Sequence, residues 1–317
     1  MNQIIDEIVK RIKKAQTISI FCHTNPDGDT LTCGLALQSA IKALGKECLV
    51  FCDTVIPEHF YCLKGAKDIS LPVKRNFDLA ISVDASDLDR LGSANKSFLS
   101  AKSHIVIDHH RTHQKFADCT LLNADAAACA EIMFDVLDAL NGLNDETAAL
   151  LFAGMVTDSG CFSFPSTTKN TMEVASKLRE FNFDPAQVIY DVFKRTNIRK
   201  FNLKNRVLSK AKFYSDNKIG IIIFRNTDFE ATETTTADTD GIINNIIDID
   251  SCEVAIAISE VNSMSYKVSF RTKALVDASD CAMTFGGGGH KQAAGCRING
   301  YLEDIIEKLL KVANDRL

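Results

Sequence analysis

The stretch TISIFCHTNPDGD, Thr17 to Asp29, decides how the chain is to be read. Its first six residues are a β-branched apolar run, the pattern of a buried strand. Asn25-Pro26-Asp27-Gly28 then reads as a turn. A helix is expected from about Asp29 to Leu44, with Gly45 where a left-handed residue ends a helix. In open parallel sheets, ligands bind beyond the carboxyl ends of the strands. This strand delivers His23, Asp27 and Asp29 to that position.

The same alternation continues outward. On the amino-terminal side, Ile4, Ile5, Ile8 and Ile12 repeat at helical spacing. On the other side, ECLVFC (47–52), DLAISVD (78–84) and HIVID (104–108) read as strands, and 127–141, 145–156 and 168–181 as helices. Strands alternating with helices predict an α/β fold with a parallel sheet covered on both faces. From Pro185 to about Lys212 no turn signal is legible, so a long helical connector is expected. KIGIIIF (218–224), EVAIAISEV (253–261) and YKVSFRTK (266–273) open a second strand-rich region, with a Thr-rich polar segment (232–239) among them. It ends in an amphipathic helix from about Leu302. The expected division is a first domain over 1–185, a connector over 186–215 and a smaller α/β domain over 216–317.

Composition bounds the function. With 317 residues, 46% hydrophobic and 24% charged, the chain has the make-up of a globular protein of two domains. Net charge is −5, from 41 acidic against 36 basic residues. A protein that grips long nucleic acid by neutralising many phosphates carries a basic surplus. Any nucleic-acid partner of this chain is therefore expected to be short. The 11 cysteines form no C-x-x-C pair and lie mostly in apolar runs, as buried thiols of a reducing compartment do. Asp6, Glu7 and Lys10 interrupt the first apolar residues, so no secretory signal is read. The longest apolar stretch, about Ala148 to Val156, is too short to span a bilayer. A cytoplasmic protein without a membrane partner is expected.

The chemistry lies in a recurring pattern. His23, Asp27 and Asp29 crowd one turn, where they leave unmet charge unless a cation sits among them. Asp84 ends one strand, Asp108-His109-His110 another, and Asp158 follows the apolar helix in VTDSG (156–160). His23, His109, His110, His113 and His290, five of the chain's seven histidines, fall in or near such motifs. Each Asp alone is an ordinary turn or cap residue. As a set at one edge of a sheet, they suit two divalent ions bridged by a shared carboxylate. The absence of thiolates disfavours a structural zinc site, and mixed His/Asp donors favour Mn²⁺ over Mg²⁺. Two such ions brace an in-line displacement at phosphorus, so hydrolysis of a phosphate ester or anhydride is the expected reaction class.

The strings HTNPDGD, SVDASDLDRLG, VIDHH and VTDSG resemble motifs I to IV of the DHH phosphoesterase superfamily, and TFGGGGHKQAAG resembles the glycine-rich motif of its DHH-associated second domain. Length and layout are most similar to the NrnA-like nanoRNases, which also dephosphorylate pAp. The resemblance implies that His23, Asp27 and Asp84 hold one metal, and Asp29, Asp84, His109 and Asp158 the other. Asp108 would lie beside the metals, His110 would face the scissile phosphate, and Arg90 would buttress the site or reach phosphate. Thr30-Leu31-Thr32-Cys33 and Ser159 depart from the family pattern, and both departures bear on substrate fit.

In the second domain, Gly286, Gly287, Gly288 and Gly289 are expected to expose backbone N–H groups, beside a helix start, to an anion. Arg271 and Lys273 would add charge there, and His290 would contact a base or phosphate. The activity implied is hydrolysis of oligoribonucleotides of about two to five residues to nucleoside 5′-monophosphates, and of pAp to AMP. The rivals are a phosphodiesterase for cyclic dinucleotides or pApA, and a nucleotide-binding regulator without turnover. The expected partners are short RNA and nucleotides, with a homodimer implied at family level.

Overall fold

In the computed structural model, residues 2–317 are described, apart from the side chain of His290. The chain forms two units, Met1–Arg195 and Thr196–Leu317.

Helix α1 (Asn2–Lys14) buries Ile5, Ile8 and Ile12 on one face. Strand β1 (Thr17–Phe21) leads to α2 (Gly28–Ala43), whose first turn is capped by the Asp27 side chain accepting from the Thr30 N–H. Gly45, at φ +74°, ends that helix as its position predicts. β2 (Glu47–Phe51), β3 (Leu79–Val83), α3 (Asn95–Leu99), β4 (His104–Asp108) and β5 (Cys119–Leu122) follow. The five strands form a wholly parallel sheet in the order β2-β1-β3-β4-β5. The short, half-exposed edge strand β5 carries no apolar run and was not expected.

Helices α4 (Cys129–Ala139), α5 (Asp145–Asp158) and α6 (Lys169–Leu178) follow in the first unit. Alternate strand residues serve two cores. Ile18, Ile20, Ile105 and Ile107 pack against the helices of one face. Phe21, Phe51, Ala80 and Val106 pack with Phe98 of α3 on the other. The chain runs from β1 outward to β2 and then returns to β3 on the opposite side of β1. The carboxyl ends of β1 and β3 therefore flank a topological switch point, where such sheets open a crevice.

Two glycines let α2 and α5 approach closely. A Cβ on Gly154 would lie 2.5 Å from Thr32 Oγ1 and 2.8 Å from Asp29 Oδ1. One on Gly28 would lie 2.5 Å from the Thr157 side chain. This packing brings Asp158, at the end of α5, to Asp29, at the start of α2.

The continuous helix expected over 185–212 is instead broken. It comprises α7 (Pro185–Ile189), a π turn at Tyr190–Lys194 and α8 (Ile198–Leu208). Arg195 turns extended, and Asn197 caps α8 by accepting from the Lys200 N–H. The second unit continues through β6 (Lys212–Tyr214), β7 (Ile219–Phe224), α9 (Asn226–Thr232), α10 (Asn244–Ile247), β8 (Val254–Asn262) and β9 (Ser265–Thr272). It closes with α11 (Ala278–Met283), β10 (Gly288–His290), β11 (Ala293–Asn299) and α12 (Leu302–Asn314). Its mixed sheet has the order β10-β11-β9-β8-β7-β6, with only β7 and β8 parallel. Leu302, Ile305, Leu309 and Ala313 of α12 cover one face.

Among the described residues no helix is long and apolar enough to cross a membrane. All 11 cysteines are free, and all but Cys62, Cys119 and Cys161 are buried.

Candidate metal centre

The switch point collects acids and imidazoles. His23, two residues past β1, is buried, with Nε2 3.4 Å from Asp27 Oδ2 and 3.6 Å from Asp84 Oδ2. Asp84, the residue after β3, is also buried and has φ +58°. That left-handed backbone costs a non-glycine residue about 1–2 kcal/mol. A bond from its N–H to the Ile107 carbonyl, 2.9 Å, helps hold it. The other oxygen of the same carboxylate, Oδ1, lies 3.3 Å from His109 Nε2 and 3.7 Å from His110 Nδ1. His109 Nε2 is also 3.4 Å from Asp158 Oδ2. Three groupings thus have ligand atoms within 4.8 Å of one another, His23–Asp27–Asp84 on one side of Asp84, and Asp29–His109–Asp158 and Asp84–His109–His110 on the other. Asp84 turns one oxygen to each side.

Hydrogen bonds select the ligating nitrogens. Nδ1 of His23 lies 2.9 Å from the Thr24 carbonyl, and Nδ1 of His109 lies 3.2 Å from that of Ala126. A carbonyl only accepts, so each Nδ1 carries a proton bonded to the backbone, and Nε2 is the nitrogen left to bind a metal. Metal-binding histidines are held in this way. His23 Nε2 and Asp84 Oδ1 are buried and have no well-formed hydrogen bond. A cation on each side of Asp84 is the partner they lack.

The electrostatics agree. Burial works against charge on His23, but hydrogen bonding to Asp27 and Asp84 outweighs it and raises its pKa to about 10. For His109 burial is likewise overcome, chiefly by Asp84, and the pKa reaches about 12. Burial, with repulsion from Asp84, lifts Asp29 to about 7. Burial and the neighbouring Asp29 hold Asp158 well above the usual carboxylate range. Asp84 goes the other way: despite burial, the two imidazoles pull it below that range. The ion-free cluster gathers protons where divalent ions would supply the same charge. Its oxygen and imidazole donors, with no thiolate, suit Mn²⁺ or Mg²⁺.

Two of the acids have further duties. Asp29 is fully buried, and its carboxylate accepts from the N–H groups of Cys129 (2.5 Å) and Ala130 (3.0 Å), the first turn of α4. A carboxylate is favoured at a helix start. Asp108 belongs to none of the ligand groupings. It is fully buried and accepts from His110 Nδ1 on Oδ1 and from His113 Nδ1 on Oδ2, both at 2.7 Å. Burial notwithstanding, these imidazoles hold its pKa at about 2. His113 was left out of the expected site. Its only signal was its place five residues after Asp108.

Arg90 lies behind His23, with Nη2 3.2 Å from Nδ1, and its carbonyl accepts from the Thr24 N–H at 2.8 Å. Of the departures from the family pattern, Thr30 and Cys33 touch the site, and Ser159 shapes the end of α5. Thr30 Oγ1 donates to the Val83 carbonyl at 3.0 Å and accepts from the His23 N–H at 3.4 Å, while Cys33 Sγ lies 3.5 Å from Asp29 Oδ1. Ser159 Oγ donates to the Met155 carbonyl and accepts from the Phe162 N–H.

In the second unit, Arg271 is half-buried, and its Nη1 donates to the Phe270 carbonyl at 3.0 Å. Burial lowers its pKa, with Asp240 opposing, and no carboxylate among the described residues forms an ion pair with it. Lys273 does not share that setting, because its ammonium donates to the carbonyls of Ile249 (2.8 Å) and Asp250 (3.0 Å). The glycines do not begin a helix. The Gly286 and Gly287 N–H groups bond to the Met283 and Ala282 carbonyls at the end of α11. Gly288 and Gly289 then pair with Gly295 and Ala294 in a hairpin. A Cβ on Gly287 would lie 2.2 Å from the Gly295 carbonyl. The side chain of His290 lies outside the described residues.

Residues 17–155 match the DHH family, N-terminal domain, and residues 221–317 match the DHHA1 domain. The chain is 28% identical over 320 residues to the bifunctional oligoribonuclease and PAP phosphatase NrnA of Thermus thermophilus, covering 99% of this chain and 94% of that one. It is 28% identical to a probable bifunctional oligoribonuclease and PAP phosphatase NrnA of Streptococcus mutans, covering 95% and 96%. In fold it is similar to an exopolyphosphatase-related protein of Bacteroides fragilis, with a TM-score of 0.92 at 23% identity over 99% of this chain and 96% of that one. With both domains matched in order and NrnA relatives along nearly its whole length, the chain belongs to the DHH family of phosphoesterases, as an NrnA-like hydrolase.

Proposed function

We propose that the protein hydrolyses oligoribonucleotides of about two to five residues to nucleoside 5′-monophosphates, removes the 3′-phosphate of pAp, and uses two divalent ions, best supplied as Mn²⁺. The observation that carries this reading is Asp84, which turns one oxygen to the His23–Asp27 side and the other to His109. His23, Asp27 and Asp84 would hold one ion, and Asp29, Asp84, His109 and Asp158 the other. When bound, the pair supplies an activated water and positive charge for in-line displacement at phosphorus.

The chain's own groups do the rest. His110, held through Nδ1 by Asp108, faces the scissile group. The Arg90 carbonyl, accepting from the Thr24 N–H, anchors the segment that carries His23. Arg271, a half-buried cation without an ion pair among the described residues, binds a substrate phosphate. Gly286 and Gly287 lead from α11 into the hairpin that Gly288 and Gly289 open, and that phosphate is held beside it. The names of the Thermus and Streptococcus relatives support the substrate class. The absence of a basic surplus supports short substrates. Eleven free thiols are in keeping with the cytoplasm.

The test is to give metal-free protein Mn²⁺ or Mg²⁺ and, in turn, pAp, pApA, a cyclic dinucleotide, a 24-mer RNA and pyrophosphate. Hydrolysis of pApA and pAp should far outrun that of the 24-mer, and D84A should lose at least about a hundredfold in rate. Cleavage of pyrophosphate alone, or nucleotide binding without turnover, would overturn the reading. A preference for the cyclic dinucleotide would replace it with the cyclic-dinucleotide alternative.

A further inference from the structure

We propose that His113 is a positioning residue of this centre: it fixes the Asp108 carboxylate, and through it the ring of His110. The inference rests on the phosphoesterase reading above for its kinetic consequence, though its geometry stands apart from it. A carboxylate rotates easily about its last side-chain bond. One bonded on a single oxygen can swing and carry its partner with it. Asp108 is bonded on both, by His110 Nδ1 on Oδ1 and His113 Nδ1 on Oδ2, each at 2.7 Å.

The surroundings fix His113 itself. Its N–H bonds back to the His110 carbonyl at 3.1 Å, closing a turn over Arg111 and Thr112. The next residue, Gln114, bonds through its N–H to the Ser86 carbonyl at 2.7 Å, which ties the turn to the loop leaving Asp84. The ring packs on Phe116, with centroids 5.8 Å apart and planes at 31°, and Phe116 in turn packs on Phe98. The His113 side chain is 5% exposed, and its Nε2 is buried with no hydrogen bond. Its hydrogen bonding through the ring is therefore confined to Nδ1, which serves Asp108. Without it, Asp108 would bury an oxygen that accepts from no other donor among the described residues, and the carboxylate would turn to find one.

Asparagine supplies the control, because its amide nitrogen lies as many bonds from Cα as Nδ1 of histidine. Phenylalanine keeps the ring against Phe116 and removes the donor. For wild type, H113F, H113A and H113N, kcat and KM for pApA are measured with saturating Mn²⁺, together with Mn²⁺ affinity, thermal unfolding and the ¹H–¹⁵N imidazole spectrum. Expected in H113F and H113A is a fall of about 10–100-fold in kcat, the range for removing such outer partners, with KM and Mn²⁺ affinity within about threefold of wild type. H113N should recover most of the loss. The hydrogen-bonded Nδ1–H resonance of His110 should shift in H113F and return in H113N.

An unchanged kcat in H113F overturns the proposal. So does a loss confined to KM or Mn²⁺ affinity, a failure of H113N to recover, or unfolding of both H113A and H113F. If wild type turns over none of the substrates, it is the phosphoesterase reading that fails. The spectrum then decides for His113 alone, and an unshifted His110 resonance in H113F overturns it.

Discussion

Ion-free, the cluster around Asp84 is a set of charges with too few partners, and its protonation shows the strain. His23 rises to about 10, His109 to about 12 and Asp29 to about 7. All three bind more protons in the native state than when unfolded, where their values are near 6.5, 6.5 and 3.8. Stability falls with pH wherever the native state holds the extra protons. The ion-free protein should therefore lose stability from about pH 4 to 7 through Asp29, and from about pH 6.5 to 10 through His23. Denaturation at stepped pH, with and without Mn²⁺, checks this, and saturating Mn²⁺ should remove the loss above pH 7. Because the metal needs bare Nε2 atoms, Mn²⁺ affinity should rise with pH between 6 and 9, with protons released. Calorimetry in buffers of different ionisation enthalpy would show a buffer-independent enthalpy if that were wrong. Asp29 and Asp158 should part company in stability. D29N loses a carboxylate oxygen from the start of α4 and should cost about 1–3 kcal/mol. D158N removes a half-buried carboxylate repelled by Asp29, so the ion-free protein should be no less stable while Mn²⁺ affinity falls.

Among the elements, the packing of α2 on α5 sets the distance between the two halves of the centre. A methyl on Gly154 would press on Thr32 and Asp29, so G154A should destabilise by about 1–3 kcal/mol and weaken Mn²⁺ binding. Equilibrium unfolding and metal titration read both. The elements most legible from sequence were those with continuous apolar runs, β1 to β4 and β7 to β9. Their ends placed His23, Asp84 and His109 together because a parallel sheet carries every such end to one edge. Other elements had no such run to read. β5 is half-exposed, β6 has three residues, β10 is Gly-Gly-His, and β11 opens with Ala-Ala-Gly. The break at Arg195-Thr196-Asn197 was hidden because Asn197 is its only strong cap signal. His113 was illegible as a partner of Asp108, since only the turn over Arg111 and Thr112 brings it back.

For the whole molecule, the net charge of −5 takes on a different meaning once the acids are located. Asp27, Asp29, Asp84 and Asp158 face a site that two divalent ions would largely neutralise. The balance still opposes long polymers, but not nucleotides. In the second unit, Lys273 is engaged by carbonyls, which leaves Arg271 as the cation proposed to meet phosphate. R271A should therefore raise KM for pApA about tenfold or more, with a smaller change in kcat and no loss of stability. The central claim is a pair of ions bridged by Asp84, and the electron paramagnetic resonance of the Mn²⁺-loaded protein tests it most directly. Two Mn²⁺ per chain with a spin-coupled spectrum are predicted, the coupling being lost in D84N. A single ion, or two uncoupled ions unaffected by D84N, would contradict it.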